Sequence, residues 1–533
     1  MHLHHHDMAT PARPSSTPPS GPPRLGWLDA LRGISALVVV YFHLSPYVLP
    51  HGRQLLTGWV QLGPYGVLVF FLVSGYVIPM SLERYGSLRR FWVGRIFRIY
   101  PAYLLTVGAM LFLVVLGLRK ISAKLVDDPI SAVLAHATML QDLVGVPSLV
   151  GVFWTLSYEM IFYVLMSALF VLGLHRRCDW WAVGLAATAL IGGRALPDDL
   201  LDDLVGRVAV TTLVAVALGA TVAAYILGRR DTALLTAVVG LGALALPLLN
   251  GSADAGVHGH GSWESLTFLA VMFSGTVVHA AHHGRMRASH AAVTLGTVLA
   301  CLLLSVWFHA AYPAATATQM RIEAVSTLIA VAATFALGFA LRHRRVPGWL
   351  TWLGRVSYSV YLLHTVVLIV FIPYLRGALR WPFPTQIAAA MLYLAAVLVV
   401  SWLSYHLVEM PGQRLGKRVG RALDRRFGPD RAGASADVVT RAPRGPGRRR
   451  APRRSTDVVM RVAHRGGRRR AAASTAAATA AVASRAAAAS TAAATAAVAS
   501  RAAATAVATA TAPAGTRTGA GPRADAAPAD VVG

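Results

Sequence analysis

Leu28-Asp29-Ala30-Leu31-Arg32-Gly33-Ile34 opens an apolar run that continues through Val38-Val39-Val40-Tyr41-Phe42-His43, and the reading of the whole chain turns on it. The run has the length and hydrophobicity of a membrane-spanning helix, yet it carries an arginine and a histidine. Ionisable groups inside a span are costly and mark functional sites by default. Eleven helical steps separate them, about three full turns, so both side chains fall on one stripe, about 16 Å apart along the axis.

Composition extends the membrane reading outward. Of 533 residues, 55% are hydrophobic and only 14% charged, and the mean hydropathy is +0.54, values that a soluble protein of this size does not have. Apolar segments fall near residues 28–48, 64–82, 97–118, 151–173, 180–195, 208–227, 232–249, 264–282, 290–311, 322–341, 356–375 and 386–408. The fold class is therefore an all-α polytopic integral membrane protein of about 10–12 transmembrane helices, with 180–195 and 232–249 the short ones. Three domains are expected: a disordered leader over 1–24, a membrane domain over 25–420, and a disordered tail over 421–533.

Connections between the segments alternate in charge. The stretch from Glu83 to Arg98 holds five arginines, and His175-Arg176-Arg177, Arg285 with Arg287, and Arg342-His343-Arg344-Arg345 continue the basic set. The other set holds Asp198-Asp199, Asp202-Asp203 and the stretch Asn250 to Trp263, which has no Lys or Arg; Arg119, Lys120 and Lys124 are its exception. The positive-inside rule then predicts a multi-pass cell-membrane protein with both termini cytoplasmic. The leader lacks the layout of a cleavable signal, so the first span is expected to target the chain. Cys178 and Cys301 offer neither a disulfide framework nor zinc-ligand spacing, and no metal is expected; His2, His4, His5 and His6 form a leader tract without further ligands. From Arg414 onward 23 Lys or Arg face six Asp or Glu, roughly two thirds of the net charge of +27. That tail, Arg-, Pro- and Gly-rich and then an Ala/Thr/Ser run, is not expected to build a core. Arg448-Arg449-Arg450 and Arg468-Arg469-Arg470 suit anionic lipid head groups, with no specific nucleic-acid partner expected.

Five motifs then point one way. They are Leu28 to His43 with its Arg-x10-His spacing, Phe70-Phe71-Leu72-Val73-Ser74-Gly75-Tyr76, Arg95-Ile96-Phe97-Arg98-Ile99-Tyr100-Pro101, Trp154-Thr155-Leu156-Ser157-Tyr158-Glu159, and Leu353-Gly354-Arg355-Val356-Ser357-Tyr358 running to His364, with Glu409-Met410-Pro411 closing the set. Together they resemble membrane-bound acyltransferase family 3, multi-span enzymes that O-acylate sugars, polysaccharides and some antibiotics. The resemblance covers about residues 24 to 418 in order. It implies a cytoplasmic acyl-CoA donor, acetyl-CoA foremost, and favours Arg95 and Arg98 as its phosphate ligands. It also implies a glycan or secondary-metabolite acceptor. Some members carry an appended extracytoplasmic domain; nothing after Glu409 has the core for one, so the membrane domain is expected to act alone or with a separate acyl-handling partner.

Acyl transfer from a thioester to a hydroxyl needs a base for the hydroxyl proton and cations for the donor's phosphates. His43 is the expected base. Glu159, placed by counting at a similar depth, is the expected carboxylate on its other ring nitrogen, fixing the tautomer. Arg32 either snorkels to the interface or lines a passage that holds the donor's polar arm. Arg84, Arg89, Arg90, Arg95 and Arg98 are the candidate phosphate ligands, and positive-inside topology alone would also place arginines there. His364 is a candidate second proton carrier, acceptor ligand or interhelical polar contact. Trp154 and Tyr358 are further site candidates. His258, His260, Trp263 and Glu264 are offered by loop position alone, and Glu409 is read as a helix stop with a loop ion pair. A proton-coupled transporter is the competing class, since intramembrane Arg, His and Glu suit one; matching inverted halves would mark it, and none is visible.

Overall fold

The computed structural model describes residues 25–50, 52, 58–228, 230–252 and 259–428. The expectations for the leader, for His258 and for the tail beyond Gly428 lie outside the described residues. The chain divides into two units, 1–442 and 443–533, and the fold is that of the first.

Helices build it throughout: α1 (Gly26–Leu44), α2 (Leu62–Tyr85), α3 (Leu88–Val115), α4 (Trp154–Val171), α5 (Cys178–Gly192), α6 (Arg207–Leu227), α7 (Arg230–Gly242), α8 (Ser262–His282), α9 (Ala288–His309), α10 (Ala317–Ala340), α11 (Gly348–Phe371), α12 (Phe383–Ser404) and α13 (Met410–Phe427). Ten of the first twelve are long and apolar enough to cross a membrane. The two that fall short are α5 and α7, the segments singled out in the sequence. α5 nevertheless runs alongside α9 from end to end: Asp179 pairs with His290 at 3.1 Å, and Arg194, just beyond α5, donates to the His309 carbonyl.

Contacts sort the connections into two ends. At one, Arg285 pairs with Glu83, and Arg89 donates to the carbonyls of Ile226 and Leu227 and to Asp424. At the other, Asp198 bridges to Gly251, the Asn250 side chain accepts from the backbone N–H of Leu201, and His260 meets Asp142. The arginine-rich connections gather at the first, here called the basic end.

The sequence treats Glu83 to Arg98 as a loop; the structure makes it mostly helix. Gly86 takes a left-handed conformation (φ +56°) that ends α2, and the Ser87 side chain accepts from Arg90 N–H to cap α3. This two-residue turn follows from the residues, since glycine tolerates positive φ and serine satisfies an orphan helix donor. It sets Arg89, Arg90, Arg95 and Arg98 on the first turns of α3. Glu409 is likewise no helix stop. It lies in a π-turn, Tyr405–Glu409, and the helix continues as α13, seven residues past the boundary expected at 420. The glycines Gly412 and Gly416 let α13 lie against Pro101 and Phe97 of α3.

Small residues bring the central helices together, as membrane packing requires where lipid tails compete for apolar surface. Gly75 of α2 meets the Met272 carbonyl and Gly275 of α8 meets that of Leu72. Gly354 of α11 lies under the Asp29 carbonyl of α1, and α1 and α11 run parallel from the basic end upward. α4 and α8 are largely enclosed, whereas α6, α9 and α12 turn Leu213, Phe308 and Val399 outward, as lipid-facing helices do. A Cβ at position 354 has no room, while Gly348 faces open space. Gly354→Ala is therefore expected to destabilise the detergent-solubilised protein by about 1–3 kcal/mol, read as a lowered thermal midpoint, with Gly348→Ala unchanged.

Candidate active site

Close passage of α1 and α11 brings His43 and His364 together. His43 Nδ1 lies 3.0 Å from the Val39 carbonyl and 3.2 Å from His364 Nε2, and His364 Nδ1 lies 3.1 Å from the Val360 carbonyl. A carbonyl oxygen only accepts, so each Nδ1 carries the hydrogen. His364 Nε2 is then an acceptor for His43 Nδ1–H, and His43 Nε2 is the lone-pair nitrogen, the atom able to take a proton. Tyr393 O–H donates to the His364 carbonyl at 2.9 Å and ties α12 to this pair.

Glu159 does not occupy the place expected for it. Its carboxylate accepts from Tyr163 O–H and, at 3.4 Å, from Ser74. Phe42, beside His43, packs on Gly63, eleven residues before Ser74 on α2, which is about 16 Å of helix. Counting from the segment end fails because α4 starts inside the protein, beneath the buried turn Gln141–Val144. The ring that orients His43 belongs to His364.

Glu159 instead joins the arginines. Arg32 sits within electrostatic reach of Arg98, Glu159, Asp29 and Glu409, so the part-buried Glu159 and the buried Glu409 offset the cations among them. Arg95 donates to Ser81 at 3.0 Å and stacks its guanidinium over Phe91 and Tyr163. Glu409, 2% exposed, accepts from Ser359 and Gln413. Arg89 is withdrawn from any ligand role, since its contacts clamp the end of α6 to α13.

Three hollows lie among these residues. A groove at the basic end is walled by Arg90, Arg95, Arg98, Lys417 and Arg421. A small middle cavity is lined by Arg32, Arg95, Arg98, Ser74, Glu159, Tyr163 and Tyr358. An upper cavity holds His43, Trp154, His260, Trp263 and Glu264. Arg95 and Arg98 line both the groove and the middle cavity; Val67 and Tyr361 line both the middle and upper ones. The Tyr361 ring stands 6.0 Å from that of His364, and its hydroxyl lies 3.0 Å from that of Thr155. Tyr358, predicted as a site residue, lines the middle cavity while donating to the Ile99 carbonyl.

Lys417 and Arg421 went unread in the sequence because Glu409 was taken as a helix stop and the basic residues from Arg414 onward were counted with the tail; glycines every fourth residue at 412, 416 and 420 amid basic residues were the available signal. Asp142 had none. Its value comes only from the fold. Among the described residues no group of three or more His, Cys, Asp or Glu is placed to hold a metal ion.

Residues 25–406 match the family described as an acyltransferase domain, and the chain belongs to that family: it is an acyl-transferring membrane enzyme, which decides against the transporter. It is 31% identical over 162 residues to the putative peptidoglycan O-acetyltransferase YrhL of Bacillus subtilis (28% of this chain, 24% of the relative). Similar values hold for the acyltransferase MdmB of Streptomyces mycarofaciens, 29% over 180 residues (31% and 45%), and for the peptidoglycan O-acetyltransferase OatA of Listeria monocytogenes, 27% over 155 residues (26% and 23%). The matches thus span about a quarter to under half of these relatives' lengths. No solved structure matches the chain.

If His364 orients the base, His364→Ala lowers kcat by about 10-fold or more, which is 1.4 kcal/mol of transition-state stabilisation, while the donor KM stays put. Single-turnover transfer measured beside wild type checks this.

Proposed function

We propose that this enzyme takes an acetyl group from acetyl-CoA bound at the basic end and transfers it, at His43, to a hydroxyl of a carbohydrate in the upper cavity. What supports the reading is that groove, middle cavity and upper cavity share wall residues in turn, Arg95 and Arg98 and then Val67 and Tyr361, with cations at one end and a histidine pair near the other. A cell-surface glycan is the acceptor class that the relatives' names favour; a secondary-metabolite hydroxyl is the alternative that the Streptomyces relative favours.

The positive-inside rule puts the basic end in the cytoplasm, where acyl-CoA is made. Arg90, Arg98, Lys417 and Arg421 offer the donor's phosphates charge-assisted, forked contacts. The thioester arm threads the middle cavity past Arg32, whose guanidinium hydrogen-bonds its polar groups, while Glu159 and Glu409 hold the arginines in place. At the Val67–Tyr361 junction the thioester carbonyl meets the acceptor. His43 Nε2 takes the hydroxyl proton as the oxygen attacks the carbonyl carbon. The tetrahedral oxyanion collapses, the C–S bond breaks, and the thiolate leaves, taking the proton back from His43. During this step the imidazolium keeps Nδ1–H bonded to Val39 and His364, so its charge is supported by two acceptors and its orientation does not change.

His43→Ala is expected to reduce transfer at least about 100-fold in protein that still inserts and elutes as a single species. Unimpaired transfer would contradict the role. Paired substitution Lys417→Ala with Arg421→Ala is expected to raise the acetyl-CoA KM several-fold with kcat little changed, the pattern of lost ground-state binding.

A further inference from the structure

A second histidine shares the cavity with His43. Asp142 lies in the turn Gln141–Val144 and is 4% exposed, and a carboxylate so enclosed needs partners. Its Oδ2 accepts from Tyr158 O–H at 2.7 Å and from His260 Nδ1–H at 3.2 Å. Tyr158 O–H also lies 2.9 Å from the Ser265 hydroxyl. One carboxylate thus ties together the 141–144 turn, α4 and the start of α8. The His260 ring lies on Trp154, centroids 4.2 Å apart and planes 33° off parallel.

Donation from Nδ1 leaves Nε2 as the lone-pair nitrogen of His260. Its side chain keeps 18% exposure against 4% for Asp142, and it lines the upper cavity with Trp263, Glu264 and Phe268. A purely structural contact would account for the buried Nδ1 bond to Asp142. It would not require the residue to line the cavity that also holds His43. Burial works against a charge on His260, but the hydrogen-bonded Asp142 carboxylate and Glu264 outweigh it and raise its pKa above the ordinary value. A ring nitrogen that accepts when neutral and donates when protonated suits a partner that is itself both, a hydroxyl.

We propose that His260, oriented by Asp142 and backed by Trp154, binds the carbohydrate acceptor, hydrogen-bonding a hydroxyl next to the one acylated and so presenting the latter to His43. The aromatic faces of Trp154 and Phe268 take the C–H face of the sugar. This rests on the reading that the upper cavity holds the acceptor. His260 is a binding residue in this scheme, and proton removal stays with His43.

The test uses the full chain in detergent, [14C]acetyl-CoA, and solubilised peptidoglycan glycan strands as acceptor probe. His260→Phe keeps the ring on Trp154 and loses the hydrogen bonds. It is expected to raise the KM for glycan about 10-fold, a 1.4 kcal/mol loss, with the acetyl-CoA KM unchanged. Equal glycan KM values in variant and wild type would overturn the proposal. In wild type, glycan is expected to protect His260 from carbethoxylation by diethyl pyrocarbonate, read by peptide mass spectrometry, whereas acetyl-CoA alone is not; absence of protection overturns it without any variant. If wild type releases CoA but puts no label into glycan, the carbohydrate reading of the upper cavity fails and this inference with it, a result distinct from a failure of His260 alone.

Discussion

Everything at the centre of this enzyme depends on how closely α11 can lie against α1. Gly354 rests beneath the Asp29 carbonyl, and from that contact the two helices rise in parallel until His364 meets His43. Each ring takes its tautomer from its own helix. Each Nδ1–H is bonded to the carbonyl four residues back on its own helix, and the histidine–histidine bond then aims a single lone pair. A membrane interior offers no water to repair a missing contact, so a shift of one helix would leave buried polar groups unpaired and cost several kcal/mol.

Charge is organised by the same constraint. Arg32 stands within reach of the Glu159 and Glu409 carboxylates on other helices, Arg98 within reach of Glu409, and Arg95 lies over the Phe91 and Tyr163 rings. The π-turn at Tyr405–Glu409 is how the backbone turns that carboxylate inward without ending the helix, and π-turns of this kind recur at functional sites. Its continuation α13 then supplies Lys417 and Arg421 to the groove. The proposed transfer across the membrane draws on this arrangement, a cationic mouth at one end and the His43–His364 pair toward the other.

Much of this was legible beforehand. The period-3.6 placement of Arg32 and His43, the helical spacing of Arg95 and Arg98, the fold class and the two short segments all follow from pattern, because helical geometry converts spacing directly into position. What pattern does not hold is relative depth. Glu159 was matched to His43 by counting from segment ends, and a helix that starts beneath a buried turn defeats such counting. Arg89 looked like its neighbours and proved to be a clamp, since only the partner's position separates the two uses. Asp142 carried no signal, because a lone acidic residue in a connection is ordinary until the fold closes over it.

Sidedness tests the central claim most directly. In sealed vesicles of known orientation, with a glycan acceptor confined to the face opposite the basic end, [14C]acetyl-CoA is supplied to one face at a time. Transfer across the membrane predicts labelled glycan only when acetyl-CoA meets the basic end, and none when the vesicles contain His43→Ala enzyme. Labelling only when donor and glycan share a face would contradict it.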